Sequence, residues 1–424
     1  MNASYSLNDV FDKILSSNSI FKNRDVLRHD YIPDTLPHRE TQINRLGEIL
    51  APILKGNRSS NIFIYGKTGT GKTAAVKYVL KILLNKAKSL NLPLNFCYVN
   101  CRITNSTYRI YSDICYSIGV KVPFTGLSTS ELFRRFIKGL DSKGVFLIIV
   151  LDEIDELVKS KGDSLLYELT RINESLIEGK VSVVGISNDL KFKEFLDPRV
   201  LSSLSEEEII FSPYNAKELK DILQQRAVLA FYENAINDGA LSLCAALAAA
   251  EHGDARRALD LLRVAGELAE REGSDFVSEN HIRKAERRME HDRVVEILEN
   301  LPLHSKLILC SMYLLNKANV QYAITGDIYQ IYSELCKLSG FSTLTQRRVS
   351  GIINELDTIG LLNTRVVSLG RYGRTKKIFL AVDRTPIREV FLKDARLSIL
   401  IEYKPRCLFS KSGKGMLERI KNQR

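Results

Sequence analysis

The 424-residue chain lacks the long apolar runs that cross membranes, since no stretch of about eighteen apolar residues occurs in it. Its first twelve residues are polar and mixed, unlike the apolar centre of a secretory signal peptide. We therefore expect neither a transmembrane helix nor a signal peptide, and we expect a cytoplasmic protein with no membrane partner.

Cysteine is scarce and scattered. There are seven cysteines, and no two of them form a C-x-x-C pair. Cys97 and Cys101 lie close in sequence, but no histidine pair accompanies them, which makes a zinc site a poor interpretation. We expect reduced thiols in the core of an intracellular protein, because disulfides are rare in that compartment.

Positive charge is in excess and unevenly placed. The formal net charge is +11 and the sequence pI is about 9.2, which favours a polyanionic partner. Residues 364–424 contain 16 Lys and Arg against 5 Asp and Glu. That excess of 11 equals the excess of the whole chain, so the C-terminal part is the basic one.

The most informative motif is the octapeptide Gly-Lys-Thr-Gly-Thr-Gly-Lys-Thr at residues 66–73, which fits the phosphate-loop pattern G-x-x-x-x-G-K-[ST]. An apolar stretch, Ile62–Tyr65, precedes it, and apolar residues at helical spacing follow over 74–84. Strand, glycine loop and helix together turn backbone N–H groups toward a phosphate. Lys72 then reaches the β- and γ-phosphates and the Thr73 hydroxyl binds magnesium, so we expect ATP or ADP and Mg²⁺ as cofactors.

A pair of carboxylates follows the most apolar run of the chain, residues 145–151. Apolar residues without alternation are typical of a parallel strand buried on both faces, and open α/β sheets bind ligands at the carboxyl ends of such strands. We expect Asp152 to hold magnesium and Glu153 to orient the attacking water. Either residue alone is compatible with a helix N-cap. Asp155 and Glu156 are interpreted as solvated residues at the start of a helix.

Further strands are predicted at 94–99, 181–186 and 208–211, with helical segments between them, one of which is predicted at 102–118. Alternating strands and helices indicate an α/β fold with a mainly parallel sheet. The strand at 181–186 ends in Ser187-Asn188. An amide there is suited to hold the lytic water or the γ-phosphate, although asparagine at a strand end is also a common turn former.

After Pro213 the pattern becomes helical, with helices predicted at 216–230, 238–250, 254–270 and 279–298. Gly253 is expected to end the second of them and Asp254 to cap the third. Arg256 then lies in a first turn, where a cation is unfavourable to the helix dipole. We interpret Arg256 as a phosphate contact, with a surface arginine as the alternative.

The last pattern is three helices, at 305–317, 325–338 and 345–359, followed by strands at 362–369 and 376–382. This order predicts a winged helix. The third helix begins with polar and basic residues that suit base edges in the major groove, and the hairpin suits the minor groove or the backbone. Winged helices also bind proteins, but the charge of the hairpin favours DNA. The candidate DNA contacts here are Thr345, Gln346, Arg347, Arg348, Arg371, Tyr372, Arg374 and Lys376.

Residues 31–40 contain two prolines, which favour an extended segment before a helix predicted from Arg39. An apolar strip that enters a nucleotide domain is suited to an adenine ring. A packed linker is equally compatible with the local pattern.

The order of these parts resembles one family. A phosphate loop, then Leu151-Asp152-Glu153, Ser187-Asn188, a helical lid with Gly253-Asp254-Ala255-Arg256 and a C-terminal winged helix are similar to the archaeal AAA+ replication initiators of the origin-recognition-complex and cell-division-control type. The likeness runs over residues 31–395. The phosphate loop alone is unspecific, whereas the whole series in this order is specific.

The resemblance implies roles for single residues. Asn188 resembles sensor 1 and Arg256 resembles sensor 2. Arg199 resembles the arginine finger that reaches a neighbouring subunit's nucleotide, and the strip from Tyr31 to Arg39 matches the adenine side. The implied nucleotide contacts are Tyr31, Arg39, Gly66, Thr68, Gly69, Thr70, Gly71, Lys72, Thr73, Ala74 and Arg256.

The stretch 100–119 lies where these initiators carry an additional DNA-touching motif. Arg102, Tyr108 and Arg109 are its candidate contacts. The predicted domains are an N-terminal arm (1–28), an AAA+ α/β domain (29–212), a helical lid (213–298), a winged-helix domain (299–395) and a basic tail (396–424). The tail departs from the family pattern, and both a final helix and a disordered segment fit its sequence.

The resemblance implies a weak, regulatory ATPase, nucleoid-associated, that binds double-stranded DNA at replication origins. It also implies recruitment of the replicative helicase, and association with a paralogous initiator or with itself on DNA. An ATP-switched winged-helix transcription regulator shares every motif and remains the alternative. A clamp or helicase loader without sequence-specific DNA binding is disfavoured by the basic hairpin.

Overall fold

The computed structural model describes residues 19–406 except residues 30, 32, 105, 124, 205 and 369–373, and it describes Ser368 and Arg374 by their backbone. The chain divides into two compact units, Met1–Ala285 and Glu286–Arg424. Among the described residues, no helix is long and apolar enough to cross a membrane.

The first unit contains a five-stranded parallel sheet, which confirms the predicted α/β fold. The strands are β1 (Ile62–Tyr65), β2 (Leu94–Asn100), β3 (Phe146–Asp152), β4 (Lys180–Ser187) and β5 (Glu207–Ile210). Their order in the sheet is β2-β3-β4-β1-β5. The strand before the phosphate loop therefore lies next to β4, which ends in Ser187.

Both faces of the sheet are covered, which explains why β3 is apolar without alternation. Leu147, Ile149 and Leu151 lie in a core on one face, whereas Ile148 and Val150 lie in a separate core on the other. The helices of this part are α1 (Glu40–Leu50), α2 (Lys72–Ser89), α3 (Thr107–Ser117), α4 (Thr129–Lys143), α5 (Ile154–Lys161), α6 (Ser164–Arg171) and α7 (Pro198–Leu204).

Helix α3 begins at Thr107, five residues later than the sequence pattern predicted. The side chain of Asn100 accounts for the delay, because its Oδ1 accepts hydrogen bonds from the backbone N–H groups of Arg102 and Ile103. A side-chain acceptor of this kind holds a turn that competes with helix formation.

The helical part of the first unit follows the prediction closely. Gly253 adopts a left-handed conformation with φ +69, and the Asp254 carboxylate caps the next helix by accepting from the N–H groups of Arg256 and Arg257. Gly253 therefore ends one helix and Asp254 caps the next, as expected. The helices of the predicted lid are α8 (Ala216–Ala230), α9 (Asp238–Glu251), α10 (Ala255–Glu272) and α11 (Glu279–Asn300). The first unit ends within α11, at Ala285.

Residues 19–28 are packed onto the lid, so the arm predicted for 1–28 does not extend through them. The Phe21 ring stacks on Phe231 with centroids 4.7 Å apart, and Lys22 donates its N–H to the Ala230 carbonyl. Val26 and Leu27 are buried in a short 3-10 helix, Arg24–Leu27. Apolar residues here had no regular spacing, which is why the sequence pattern missed their packing. Residues 1–18 lie outside the described part of the chain.

The second unit has the predicted winged-helix order. Its three helices are followed by an antiparallel hairpin in which Leu362 pairs with Leu380. The elements are α12 (Leu303–Lys317), α13 (Thr325–Leu338), α14 (Gln346–Thr358), β6 (Leu362–Ser368) and β7 (Arg374–Leu380).

One further helix, α15 (Arg384–Lys393), was not predicted. Its buried residues Ile387, Val390 and Phe391 have helical spacing, which is the signal that identifies it in the sequence. Leu397, Leu400 and Ile401 also belong to this core, and Leu397 and Ile401 are fully buried in it. The basic tail expected from residue 396 therefore does not begin there.

Candidate functional site

A cavity of about 690 Å³ lies at the carboxyl edge of the sheet in the first unit, between the sheet and the lid. Residues from strands β2 and β3, the phosphate loop, the lid and the N-terminal strip all contribute to its wall. The predicted site residues that line it are Tyr31, Gly69, Thr70, Gly71, Lys72, Thr73, Ala74, Asp152, Glu153, Asn188 and Arg256. The fold thus brings to one place residues that are up to 225 positions apart in the sequence.

The phosphate loop depends on glycine at two positions with left-handed backbone, Gly69 (φ +68) and Gly71 (φ +89). The Lys72 ammonium donates to the carbonyls of Gly66 and Lys67 at 2.7 and 2.6 Å. Burial lowers the pKa of Lys72 to about 8, against the opposing effect of the Asp152 carboxylate. A phosphate that replaces these carbonyl contacts favours the charged lysine.

Two of the predicted loop contacts do not line the cavity. The Gly66 carbonyl faces the Lys72 ammonium, and Thr68 is exposed. Gly66 and Thr68 therefore contribute to the backbone conformation of the phosphate loop.

The two carboxylates lie where strand β3 ends. Asp152 is buried, and its Oδ2 accepts from the Thr73 hydroxyl at 2.7 Å. A hydroxyl and a carboxylate side by side are hard oxygen ligands, so this pair fits Mg²⁺. Glu153 has left-handed backbone with φ +54 and a side chain that is 22% exposed, with Oε2 at 4.0 Å from Nη1 of Arg102.

Asp155 is buried, and the expectation that it is solvated was wrong. Its Oδ1 accepts from the Ser187 hydroxyl at 3.1 Å and from the Asn188 N–H at 3.3 Å. The carboxylate therefore holds the tip of strand β4 beside the start of helix α5. Glu156 is exposed, as expected.

Arg256 is exposed in the first turn of α10 and lines the cavity. Its positive charge is one of the effects that lower the pKa of Lys72, after burial, which is the largest. Two cations therefore face the same space, an arrangement that favours an anion between them.

Arg39 does not line the cavity, so the structure does not support its prediction as a nucleotide contact. It is 4% exposed, and its guanidinium bonds the backbone carbonyls of Thr70 and Ser212 at 2.9 and 2.6 Å. The sequence indicated that Arg39 lies near the nucleotide domain but not toward which side the guanidinium points. Tyr31, from the same strip, does line the cavity.

Arg199 lies outside the cavity of its own chain. Arg199 lies in the first turn of α7, and its side chain is 69% exposed and paired with Asp197 at 3.1 Å. Its guanidinium also lies 5.7 Å from the centre of the Tyr167 ring.

The predicted DNA contacts of the 100–119 motif differ in their exposure to solvent. The side chain of Arg102 is 75% exposed, and Arg109 is exposed on α3. Tyr108 is half-buried, and its hydroxyl donates to the Pro123 carbonyl at 2.8 Å.

The start of α14 is an exposed polar surface. Thr345 caps the helix by accepting from the N–H of Arg348, and Gln346, Arg347 and Arg348 are all exposed. On the hairpin, the Lys376 ammonium donates to the Asn354 side chain. Arg371 and Tyr372 lie outside the described residues, as does the side chain of Arg374.

The polar residues of the cavity wall that sequence reasoning missed include Lys77, Tyr98 and Asn100. The Tyr98 hydroxyl donates to Asp152 at 2.7 Å, and the Lys77 ammonium lies 4.4 Å from the centre of the Tyr98 ring. The available signal was their position near the carboxyl end of β2 and along the first helix after the loop. Six of the seven cysteines are buried and unpaired, as expected of core thiols, and Cys407 lies outside the described residues.

Three family models match this chain in order. They are an AAA domain over residues 56–191, the Cdc6 AAA+ ATPase-type lid domain over 220–287 and the CDC6 C-terminal winged helix domain over 296–390. The matches follow the three parts derived from the sequence pattern.

Individual relatives match over nearly their whole length. The chain is 52% identical over 399 residues to the ORC1-type DNA replication protein of Pyrococcus horikoshii, covering 93% of this chain and 95% of that protein. It is 52% identical over 398 residues to the ORC1-type DNA replication protein 1 of Sulfurisphaera tokodaii, covering 93% and 99%. The solved structure of the Aeropyrum pernix Orc1 protein in complex with DNA has a TM-score of 0.77 and 49% identity, covering 90% and 99%. The chain belongs to the archaeal Orc1/Cdc6 family of ORC1-type DNA replication proteins, which are AAA+ ATPases with a C-terminal winged helix.

Proposed function

We propose that this protein is an ATP-dependent replication initiator that binds double-stranded DNA at replication origins. The observation that carries the proposal is the convergence of phosphate loop, paired carboxylates, Asn188 and Arg256 on one cavity, in a chain that also contains a winged helix. Its relatives are named DNA replication proteins, and this naming favours an initiator over the transcription regulator.

In the nucleotide site, the phosphates lie against the N–H groups of the loop and the Lys72 ammonium. Thr73 and Asp152 hold Mg²⁺, which neutralises phosphate charge when it is bound. Glu153 orients the attacking water, and Asn188 and Arg256 contact the γ-phosphate from β4 and from the lid. Tyr31 lies on the adenine side. The support for these roles is that each of these residues lines the cavity.

Hydrolysis is weak and regulatory in this proposal, because Arg199 does not reach the cavity of its own chain. A second copy, or a paralogous initiator on the same DNA, supplies Arg199 to its neighbour. An arginine supplied in this way stabilises charge in phosphoryl transfer.

DNA is bound by two surfaces. The exposed start of α14 reads bases, since Gln346, Arg347 and Arg348 all face solvent there. The second surface is the 100–119 motif with Arg102, Tyr108 and Arg109. We extend to this chain the DNA binding named for the Aeropyrum pernix Orc1 protein, and we propose recruitment of the replicative helicase as its consequence at the origin.

Genome-wide mapping of the protein in growing cells, beside maps of replication start points, tests this function. An initiator occupies start points, and a variant with Arg347→Ala and Arg348→Ala loses those positions while its level in the cell stays the same. Occupancy of promoters away from every start point would instead establish a transcription regulator.

A further inference from the structure

Arg39 is a buried cation without a carboxylate partner among the described residues. Burying a charge is costly unless hydrogen bonds compensate for the lost water. Three backbone carbonyls do so: Nε donates to Thr70, Nη1 to His38 and Nη2 to Ser212. The guanidinium also lies 3.7 Å from the centre of the Tyr214 ring, a distance at which cation and aromatic face attract each other.

The carbonyls that Arg39 holds belong to different parts of the site. Thr70 lies in the phosphate loop, whereas Ser212 immediately precedes the segment that leads into the lid helix α8. Tyr214 lies two residues beyond Ser212, and its hydroxyl oxygen is 2.8 Å from the position that a Cβ on Gly71 would take. One side chain therefore joins the phosphate loop to the connection between sheet and lid.

A second connection joins the loop to the lid directly. The Ala255 N–H, at the start of α10, donates to the Gly69 carbonyl at 3.1 Å. The Asp254 carboxylate lies so close to Gly69 that a Cβ there would be 1.6 Å from its Oδ1. The Tyr214 N–H donates to the Gly253 carbonyl at 3.2 Å. Tyr214 is also the residue whose aromatic side chain lies against the Arg39 guanidinium.

These contacts form a closed ring. From Arg39 it passes through the carbonyls of Gly69 and Thr70, then through residues 253–255, and returns through Tyr214. We name this ring the loop–lid clasp. In a closed ring of hydrogen bonds, the position of one member depends on all the others.

We propose that Arg39 is a positioning residue that, through the loop–lid clasp, sets the phosphate loop and the lid as a single unit around the nucleotide. Arg39 does not line the cavity. Arg39 holds the Thr70 carbonyl away from the cavity, so that the N–H groups of the loop face the cavity. It also fixes the connection between sheet and lid, and with it the position of Arg256 in the cavity wall. This inference rests on the proposed nucleotide site in the same cavity.

A double-mutant cycle on nucleotide affinity tests the clasp. Arg39→Met removes the donors and keeps much of the volume. Ala255→Pro replaces the N–H that bonds Gly69 with a ring carbon, which breaks this contact and separates the two groups. The change lies at the first position of a helix, where proline fits the helix backbone. The preceding residue, Asp254, has extended backbone with φ −89 and ψ 112, which is also compatible with proline.

Binding of a fluorescent ADP analogue to the full chain is the measurement. Each single variant is expected to weaken binding by about tenfold, the effect of losing a hydrogen bond to a charged or ligand-facing group. Because one substitution already opens the ring of contacts, the second substitution adds little to the loss of affinity. The affinity of the double variant therefore stays within a few-fold of the affinity of the single variant that binds more weakly. Wild-type affinity in Arg39→Met, or a double variant about a hundredfold weaker than wild type, would overturn the proposal.

The control is Arg45→Met, which removes an arginine of helix α1, the helix that Arg39 immediately precedes. Arg45 bonds Glu207 at 2.6 Å and is half exposed. The control variant is expected to bind the ADP analogue as wild type does. Circular dichroism and the thermal midpoint establish that each variant is folded. If Arg39→Met does not fold, Arg39→Lys takes its place, since lysine keeps the charge but cannot bond two carbonyls in one plane. Failure of the wild-type chain to bind ADP would refute the nucleotide site itself, an outcome distinct from failure of the clasp.

Discussion

The Tyr98 hydroxyl donates a hydrogen bond of 2.7 Å to Oδ2 of Asp152. The same oxygen accepts from the Thr73 hydroxyl, and Oδ1 accepts from the Glu153 N–H. Burial, followed by the hydrogen bond to Asp152, raises the pKa of Tyr98 well above its usual value, so the phenol remains a donor. The carboxylate proposed to hold magnesium is therefore oriented by donors from the loop helix, strand β2 and its own backbone turn.

Tyr98→Phe is expected to raise the Mg²⁺ concentration needed for half-maximal ATP hydrolysis by about tenfold, because partners that orient metal ligands contribute this much to metal affinity. Binding of ADP without metal is expected to stay unchanged, which separates orientation of Asp152 from damage to the loop. Tyr65→Phe is the matched control, since its hydroxyl bonds Glu208 on the neighbouring strand. An identical Mg²⁺ requirement in Tyr98→Phe would show that Asp152 is oriented without it.

The pKa of about 8 for Lys72 predicts how nucleotide affinity depends on pH. Bound phosphates favour the ammonium and raise its pKa, so binding takes up a proton once the free protein has lost one. Metal-free ADP should therefore bind more weakly as pH rises above about 8, by up to tenfold per pH unit. Isothermal titration calorimetry between pH 7 and pH 9.5 measures the slope.

Lys72→Arg is the control for that slope, because a guanidinium stays charged over the whole range. Its affinity, whatever its value at pH 7, should not depend on pH above 8. Equal slopes in the two proteins would assign the dependence to another group.

The sequence predicted the strands well because their apolar residues are buried on both faces, which leaves a continuous pattern. It predicted the cavity residues that lie directly at strand ends, such as Asp152 and Asn188. It failed for Asp155, whose carboxylate is bonded by Ser187 from another strand. It also did not indicate that the Arg39 guanidinium bonds the carbonyls of Thr70 and Ser212. Contacts of this kind join distant segments, and no local pattern records them.

Glu153→Gln should retain ATP and ADP binding and lose hydrolysis by about 10²- to 10⁴-fold, the usual contribution of a positioned base. Phosphate release under single-turnover conditions measures the loss. Glu156→Gln is the matched control, because Glu156 is exposed in the first turn of helix α5, which Glu153 precedes. This variant should hydrolyse ATP at the wild-type rate. Unchanged hydrolysis in Glu153→Gln would remove Glu153 from the reaction.

Arg347→Ala and Arg348→Ala should each reduce the preference for the origin sequence over unrelated DNA by about 1–3 kcal/mol. Both side chains are exposed at the start of α14, where base edges are read, although Arg348 also pairs with Glu355 at 3.3 Å. Fluorescence anisotropy with an origin duplex and a shuffled duplex measures the preference. Lys393→Ala removes an exposed charge at the end of α15 and should leave the preference intact. A uniform loss on both duplexes would assign the two arginines to phosphate contacts instead.

Arg199 should act on the nucleotide of a neighbouring copy, and mixing two inactive variants tests this. Glu153→Gln keeps Arg199 but has no base in its own site, whereas Arg199→Ala keeps its base and has no arginine to give. Each variant alone should hydrolyse ATP slowly on origin DNA. Their mixture should regain a large part of the wild-type rate, because a Glu153→Gln copy supplies Arg199 to the intact site beside it.

The control for this mixture is Arg171→Ala in place of Arg199→Ala, since Arg171 is partly exposed and its guanidinium contacts the same Tyr167 ring. Arg171→Ala should hydrolyse ATP normally without any partner. Recovery requires DNA that holds two copies side by side, so a duplex long enough for one copy alone should not support it. A mixture that stays as slow as its components on the longer duplex would show that Arg199 does not act on the nucleotide of a neighbouring copy.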